Sequence, residues 1–280
     1  MNNIDFLKMS GSGNDFILVD NRKGIIDGDN LNHFVKRICR RRFSVGADGF
    51  ILLQGSDKAD FKWKFFNADG SEAEMCGNGG RCAAQFAYLK GIAGKEMSFE
   101  TLAGIIKAEI LGDRVKLEMS VPKGIDLDQI LLIEGEEHIV CFINTGVPHV
   151  VEFVSDIDEC QVIKLGRAIR YHDRYKPEGT NANFVYARDR SNIVIRTYER
   201  GVEDETLACG TGAVAAALVA YLRGMVSSPV AVKTKGGGVL AVHFKLNKEG
   251  FEDVFLEGDA RVIYEGRLCE DAKVRKSQEI

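Results

Sequence analysis

"EMCGNGGRCAAQFAYLKG" occupies residues 74–91, and "ACGTGAVAAALVAYLRG" occupies residues 208–224. Laid on each other at Cys76 and Cys209, an offset of 133, Gly77 meets Gly210, Gly79 meets Gly212, Ala83 and Ala84 meet Ala216 and Ala217, and "AYLKG" meets "AYLRG". The same offset sets "SGSGNDFILV" from Ser10 on "INTGVPHVVE" from Ile143, Asp48 on Asn181, and "TLAG" at Thr101 on "TKGG" at Thr234. The chain is therefore two halves built on one plan. Further on, "VKLE" at Val115 best matches "VFLE" at Val254, an offset of 139. A hairpin loop about six residues longer in the second half is the expected cause.

Every residue from Ala213 to Leu222 is apolar. A helix there has no polar face and is far too short for a bilayer, so a sheet must wrap it. Gly91 and Gly224 are placed as C-terminal stops. A capping box at Ser71–Glu74 would start the first helix earlier, but Gly77, Gly79 and Gly80 would then sit inside it at roughly 1 kcal/mol each, so the start is expected just after the cysteine. Around these helices run short apolar segments bounded by Gly, Asp or Asn, which read as strands: "FILVD", "GFILLQ", the alternating Phe61, Trp63 and Phe65, "GIIKAEI", "RVKLEM", "HIVCFIN", "HVVEFV", "NIVIRTY", "VLAVHFKL" and "DARVIYEG". Two amphipathic segments, near Leu31–Arg42 and Val162–Tyr171, complete the helical content. The expected fold is mixed α/β (α+β), with two pseudo-symmetric halves, each a mostly antiparallel sheet wrapped around a buried central helix. The halves are expected at residues 1–119, joined by the tail 264–280, and at 120–263.

Composition narrows the function. With 37 Lys and Arg against 41 Asp and Glu among 280 residues, net charge is -4, so no overall basic field invites nucleic acid or anionic lipid. The basic run Arg37–Phe43 reads as a solvated helix face, since no nucleic-acid motif accompanies it. No stretch of about 18 apolar residues exists to span a membrane, and the N-terminus lacks a signal-peptide pattern. A cytoplasmic enzyme is expected. Seven scattered cysteines, without CxxC spacing, do not read as a disulfide framework or a metal site.

A cysteine at a helix start sits beside unpaired backbone N–H groups and the positive end of the dipole, which favour a thiolate and also hold a carboxylate. Glycine there lets a ligand approach the backbone. One such site is a reactive cysteine or an anion pocket. Two, on equivalent halves facing one ligand, put a thiol on each side of a carbon, the arrangement stereoinversion needs: one thiolate removes a proton and the other thiol delivers one from behind. Cys39, Cys82, Cys141, Cys160 and Cys269 read as small buried hydrophobes. Cys82, six residues after Cys76, lies about 240° round the helix and points away. His149 alone reads as structural, and Asn14, Asn67 and Asn181 as turn residues. A thiol redox or anion-binding module remains an alternative at this point.

"SGSGNDF", "FFNADGSEAEMCGNGGRCA", "TGVPHVV", "GTNANFV" and "YERGVEDETLACGTGA", spread from Lys8 to about Tyr264, resemble diaminopimelate epimerase, the PLP-independent family that interconverts LL- and meso-diaminopimelate on the route to lysine and peptidoglycan. The resemblance implies the diaminopimelate epimerase-like fold, a small-molecule substrate, no cofactor or metal, and a homodimer. It implies that Cys76 and Cys209 are the acid/base pair. Gly77 with Asn78, and Gly210 with Thr211, would offer N–H groups to the carboxylate at the reacting carbon. Asn14, Asn67, Asn181, Glu199 and Arg200 would hold the substrate, and His149 and Glu199 would tune the thiols. Val147 stands where many members carry Asn, and Gly49 where several carry Gln, so the distal end would rest on Asn67, Asn181 and Arg200. A related racemase of the proline racemase type is the nearest rival, and it has no use for Arg200.

Overall fold

The computed structural model describes residues 4–26 and 30–269. The rest of the tail expected to join the first half, residues 270–280, lies outside them. The described chain forms two compact units, one taking the residues up to Leu117 and from Gly258 onward, the other Glu118–Glu257. Among the described residues no helix is long and apolar enough to cross a membrane.

The first unit runs β1 (Ile4–Gly11), β2 (Asn14–Asp20), α1 (Leu31–Ile38), β3 (Gly49–Gln54), β4 (Phe61–Asn67), β5 (Glu72–Ala73), α2 (Gly77–Leu89), β6 (Glu96–Thr101), β7 (Gly104–Leu111) and β8 (Arg114–Glu118). The second runs β9 (Lys123–Ile133), β10 (Glu136–Asn144), β11 (Pro148–Phe153), α3 (Val162–Arg170), β12 (Asn181–Ala187), β13 (Asn192–Glu199), β14 (Asp204–Thr206), α4 (Gly210–Leu222), β15 (Val230–Lys233), β16 (Val239–Asn247) and β17 (Gly250–Asp259). Then β18 (Arg261–Leu268) pairs antiparallel with β1, from Ile4 opposite Leu268 to Ser10 opposite Arg261. The boundary expected at 263/264 falls inside β18, a strand that pairs as a whole with β1.

Most neighbouring strands are antiparallel, and the parallel pairs occur where a helix makes the crossover. In the first unit β2–β3 are parallel across α1 and β4–β6 across α2. In the second, β11–β12 are parallel across α3 and β13–β15 across α4. Crossovers put a helix on each face of the sheet, and strand alternation divides the apolar side chains between them. On β2 and β3, Phe16, Leu18, Ile51 and Leu53 pack with Ala83, Ala84 and Phe86 of α2. The intervening Ile17, Val19, Phe50 and Leu52 pack with Leu31, Val35 and Ile38 of α1. The second unit repeats this: Ile143, Val151, Val185 and Ile195 meet α4, while Val150, Ala182, Phe184 and Tyr198 meet Val162 and Ile169 of α3. Strands clad on both faces are why "FILVD" and "GFILLQ" are unbroken apolar runs.

Both buried helices end in the same way. Gly91 and Gly224 take left-handed φ of 64° and 70°. Their N–H groups donate to Tyr88 and Tyr221, and the next N–H groups, of Ile92 and Met225, donate to Ala87 and Ala220. Helix α4 is buried from Gly212 to Ala220, as an all-apolar surface requires. Helix α2 also buries Arg81 and Gln85. Helix α1 ends at Ile38 rather than Arg42: the C=O of Ile38 accepts from the Gly46 N–H and that of Cys39 from Ala47, so the turn folds back on the helix end.

The offset change has the expected cause only in part. The turns Gly112–Asp113 and Lys248–Glu249 each contain two residues, whereas β7 and β8 have 8 and 5 residues and β16 and β17 have 9 and 10. Between the matched stretches Thr101–Val115 and Thr234–Val254, two of the six extra residues lie in the connection that enters the hairpin, where Lys235–Gly238 stands against Leu102–Ala103, and four lie in its arms, where added residues extend the ladder without changing the turn at its tip.

Candidate functional site

Both helices start on the residue after a cysteine. Cys76 caps α2 in an extended conformation (φ -147°, ψ 114°), and Cys209 caps α4 likewise (φ -117°, ψ 113°). The Gly79 N–H donates to Cys76 Sγ at 3.4 Å. Cys209 Sγ lies 3.5 Å from the Thr211 hydroxyl, and the residue is 8% exposed. Each sulfur thus stands at the first turn of a helix, beside a backbone N–H at Cys76 and a hydroxyl at Cys209.

The glycine frame has a packing cause as well as a chemical one. A Cβ on Gly212 would stand 2.5 Å from Asn183 Oδ1 and 3.2 Å from Cys209 Sγ. One on Gly210 would stand 3.0 Å from Leu256, and one on Gly80 3.0 Å from Leu117. The surrounding strands come too close to the helix starts for larger residues.

In the first unit, Asn78 on the opening turn of α2 donates from Nδ2 to Oδ1 of Asn14 at 2.9 Å, and Asn14 Nδ2 donates to Asp48 Oδ2 at 3.1 Å. Asp48 also accepts from Arg41 at 2.8 Å, and Arg41 bridges to Asp15, which pairs with buried Lys8 at 2.8 Å. Against the cost of burial, Arg41 and Lys8 hold the Asp15 carboxyl at about 2. Asn67 is not joined to this chain. It is exposed at the end of β4, its Nδ2 donates to Ser71 Oγ, and its C=O accepts from Gly70, so it serves the β4–β5 turn. Its register partner Gly49 has no room for a side chain: a Cβ would lie 2.6 Å from the Phe65 ring.

In the second unit, parallel pairing sets His149 opposite Asn181. Asn181 Nδ2 donates to Pro148 C=O, and its Oδ1 accepts the Arg200 N–H, both at 2.9 Å. Arg200 Nη1 donates to Glu178 C=O, and the side chain lines a cavity of about 470 Å³ with Phe142, Asn144, Arg174 and Tyr175. Glu199 is half-buried, and burial pushes its carboxyl up. Val147 lies in the tight turn before β11, its C=O accepting from the Thr145 N–H.

His149 is fully buried. Burial, then the Arg200 charge, push it down to about 3, so its imidazole is neutral. Asn183 sets the tautomer. Its Nδ2 donates to Val150 C=O at 2.8 Å, which fixes the amide, and lies 3.1 Å from His149 Nδ1. Nδ1 therefore accepts and Nε2 carries the hydrogen. That Nε2 is buried without a hydrogen-bond partner among the described residues. A buried donor left so costs about 1–3 kcal/mol.

The remaining cysteines divide. Burial pushes Cys39 and Cys82 up to about 12 and Cys160 to about 11, and raises Cys141, which leaves all four as thiols. Cys269 departs from the expected burial, because it follows the last strand and is exposed. Sequence reasoning missed Arg81, Asn183 and Thr145. The visible sign for Arg81 was a charged residue inside an alanine-rich phrase. Asn183, two residues after Asn181, shares that residue's side of the strand, and Thr145 aligns with Ser12.

The family model described as diaminopimelate epimerase matches residues 6–125 and 141–263. The chain is 50% identical over 279 residues to the diaminopimelate epimerase of Aquifex aeolicus (strain VF5), covering 96% of this chain and 99% of that one. It is 45% identical to that of Chlorobaculum tepidum, covering 93% and 99%. Among solved structures it is similar in fold to a Bacillus anthracis phenazine biosynthesis protein of the PhzF family (TM-score 0.74, 16% identity, 96% and 100% covered). The same holds for a hydroxyproline epimerase from Agrobacterium vitis (TM-score 0.68, 15% identity, 95% and 92% covered).

Proposed function

Because the chain belongs to the diaminopimelate epimerase family, we propose that Cys76 and Cys209 are the two proton carriers of an isomerase that interconverts LL- and meso-diaminopimelate. The observation that carries this reading is the repeated helix start: two cysteines, each at the N-cap of one of two equivalent buried helices, with the Gly79 N–H donating to Cys76 Sγ and the Thr211 hydroxyl 3.5 Å from Cys209 Sγ. One thiolate takes the α-proton, and the other thiol gives a proton to the opposite face of the same carbon.

An α-proton is weakly acidic, so negative charge developing at the carboxylate must be met by donors already in place. The N–H groups of Gly77, Asn78, Gly210 and Thr211 supply them, supported by the Asn14–Asn78 amide pair. His149, neutral with Nε2–H held by Asn183, acts as a donor rather than as a base. Glu199 is a second tuning group. At the distal end, Arg200 grips the second carboxylate, with Asn181 holding the Arg200 backbone and Asn67 a further contact.

Thiols that carry protons must stay reduced, which suits a cytoplasmic location. A homodimer is part of the reading on the strength of the family resemblance, and sedimentation tests it. The reading as a whole is tested by a coupled assay for meso-diaminopimelate formed from the LL isomer. Turnover abolished in both Cys76→Ala and Cys209→Ala is the expected result, and turnover retained by either removes that cysteine from the mechanism.

A further inference from the structure

The guanidinium of Arg81 is fully buried one turn into α2, directly behind the helix start. Its position is unusual on two counts. A cation is least at home near the positive end of a helix dipole. And among the described residues no carboxylate accepts a hydrogen bond from it. Its partners are Ser12 Oγ at 2.7 Å and Asn78 Oδ1 at 2.8 Å from Nη2, with longer contacts to the carbonyls of Gly77 and Asp259 at 3.4 Å. The nearest countercharge is one hydroxyl away, since Ser12 Oγ donates in turn to Asp259 Oδ1 at 3.0 Å.

The second half shows what the same scaffold does without this residue. At the offset of 133, Arg81 falls on Val214, Ser12 on Thr145 and Asn78 on Thr211. There the hydroxyl bonds the helix start directly, Thr145 Oγ1 donating to Thr211 C=O at 3.0 Å. The fold closes around its helix without a buried cation, so Arg81 is not a requirement of the architecture.

Resting on the substrate-site reading above, we infer that Arg81 is a positioning residue that fixes which way the amides of Asn78 and Asn14 face. A guanidinium only donates, so the oxygen of Asn78 must turn to it. That leaves Asn78 Nδ2 to donate to Asn14 Oδ1, and Asn14 Nδ2 to donate to the Asp48 carboxylate, which only accepts. A cation at one end and an anion at the other give the relay a single sense. Each amide nitrogen keeps one hydrogen beyond the relay, so the pair offers N–H donors and no carbonyl oxygen to a bound carboxylate. With Arg81 removed, Asn78 can turn over and set an oxygen against the anion.

The test is a double-mutant cycle read in KM and kcat. Arg81→Met is expected to raise KM about tenfold, the worth of one charge-assisted hydrogen bond, with a smaller change in kcat. Asn78→Ala is expected to raise KM similarly, and Arg81→Met added to Asn78→Ala is expected to change KM no further. Multiplicative effects, or an unchanged KM in a folded Arg81→Met protein, overturn the inference. If Arg81→Met does not fold, the cycle is run with Arg81→Val, the residue at the equivalent place in the second half, and the same outcomes decide. A wild-type KM in Asn78→Ala would instead overturn the substrate-site reading beneath it.

Discussion

The backbone N–H of Gly79 donates to the sulfur of Cys76 at 3.4 Å, so this side chain is a helix cap as well as a thiol. The two roles separate on substitution. Cys76→Ser keeps an acceptor at the cap but cannot carry the proton, and is expected to melt near wild type with turnover reduced by at least about a hundredfold, the low end for a lost acid/base group. Cys76→Ala loses both and should cost about 1 kcal/mol of stability besides. Thermal melts with the coupled assay check both expectations.

Gly212 and Gly79 occupy equivalent places but unequal space. A Cβ on Gly212 would come within 2.5 Å of Asn183 Oδ1, whereas on Gly79 the nearest atom is the end of the Ile51 side chain at 3.3 Å. Gly212→Ala should therefore destabilise by about 1–3 kcal/mol and disturb the His149–Asn183 contact, while Gly79→Ala should cost less. Denaturant midpoints compare the two directly.

His149 makes stability depend on pH. The folded state holds it at about 3 against an ordinary value near 6.5. Between those values the unfolded chain binds a proton that the folded chain does not, so stability falls as pH drops from about 6.5 toward 3. A His149→Gln protein should lose part of that slope in urea titrations at pH 4 and pH 7, and an unchanged slope would mean that His149 is not held neutral.

Arg200 sits on the cavity edge with its backbone N–H held by Asn181. Arg200→Ala should raise KM for diaminopimelate by about a hundredfold, as expected when a carboxylate loses a bidentate partner, with the melting temperature little changed. The same change should leave weak turnover of a monocarboxylate amino acid, if any, unaffected.

Much of this organisation is legible in the chain because its two halves state it twice, once each. The all-apolar run Ala213–Leu222 can only be a wrapped helix, and its glycine frame locates both starts and both stops. What escaped is what has no periodicity. Asn67 and Asn181 look alike in sequence, yet one serves a turn and the other ties β11 to Arg200. The burial of Arg81 depends on Ser12, a contact 69 residues away that no local pattern encodes. The offset between the halves does not say where its extra residues lie, and they are divided between the connection before β16 and the arms of the β16–β17 hairpin.

In the proposed mechanism, inversion uses two proton carriers, one for each face of the α-carbon. Starting from LL-diaminopimelate in heavy water, with turnover stopped early, mass spectrometry of separated substrate and product reads it directly. Deuterium is expected at the inverted carbon of essentially every product molecule, while recovered substrate stays unlabelled, because the acid thiol has exchanged with solvent before it delivers. Early product that retains the original protium would mean a single group carrying the proton across, and would contradict the assignment of separate roles to Cys76 and Cys209.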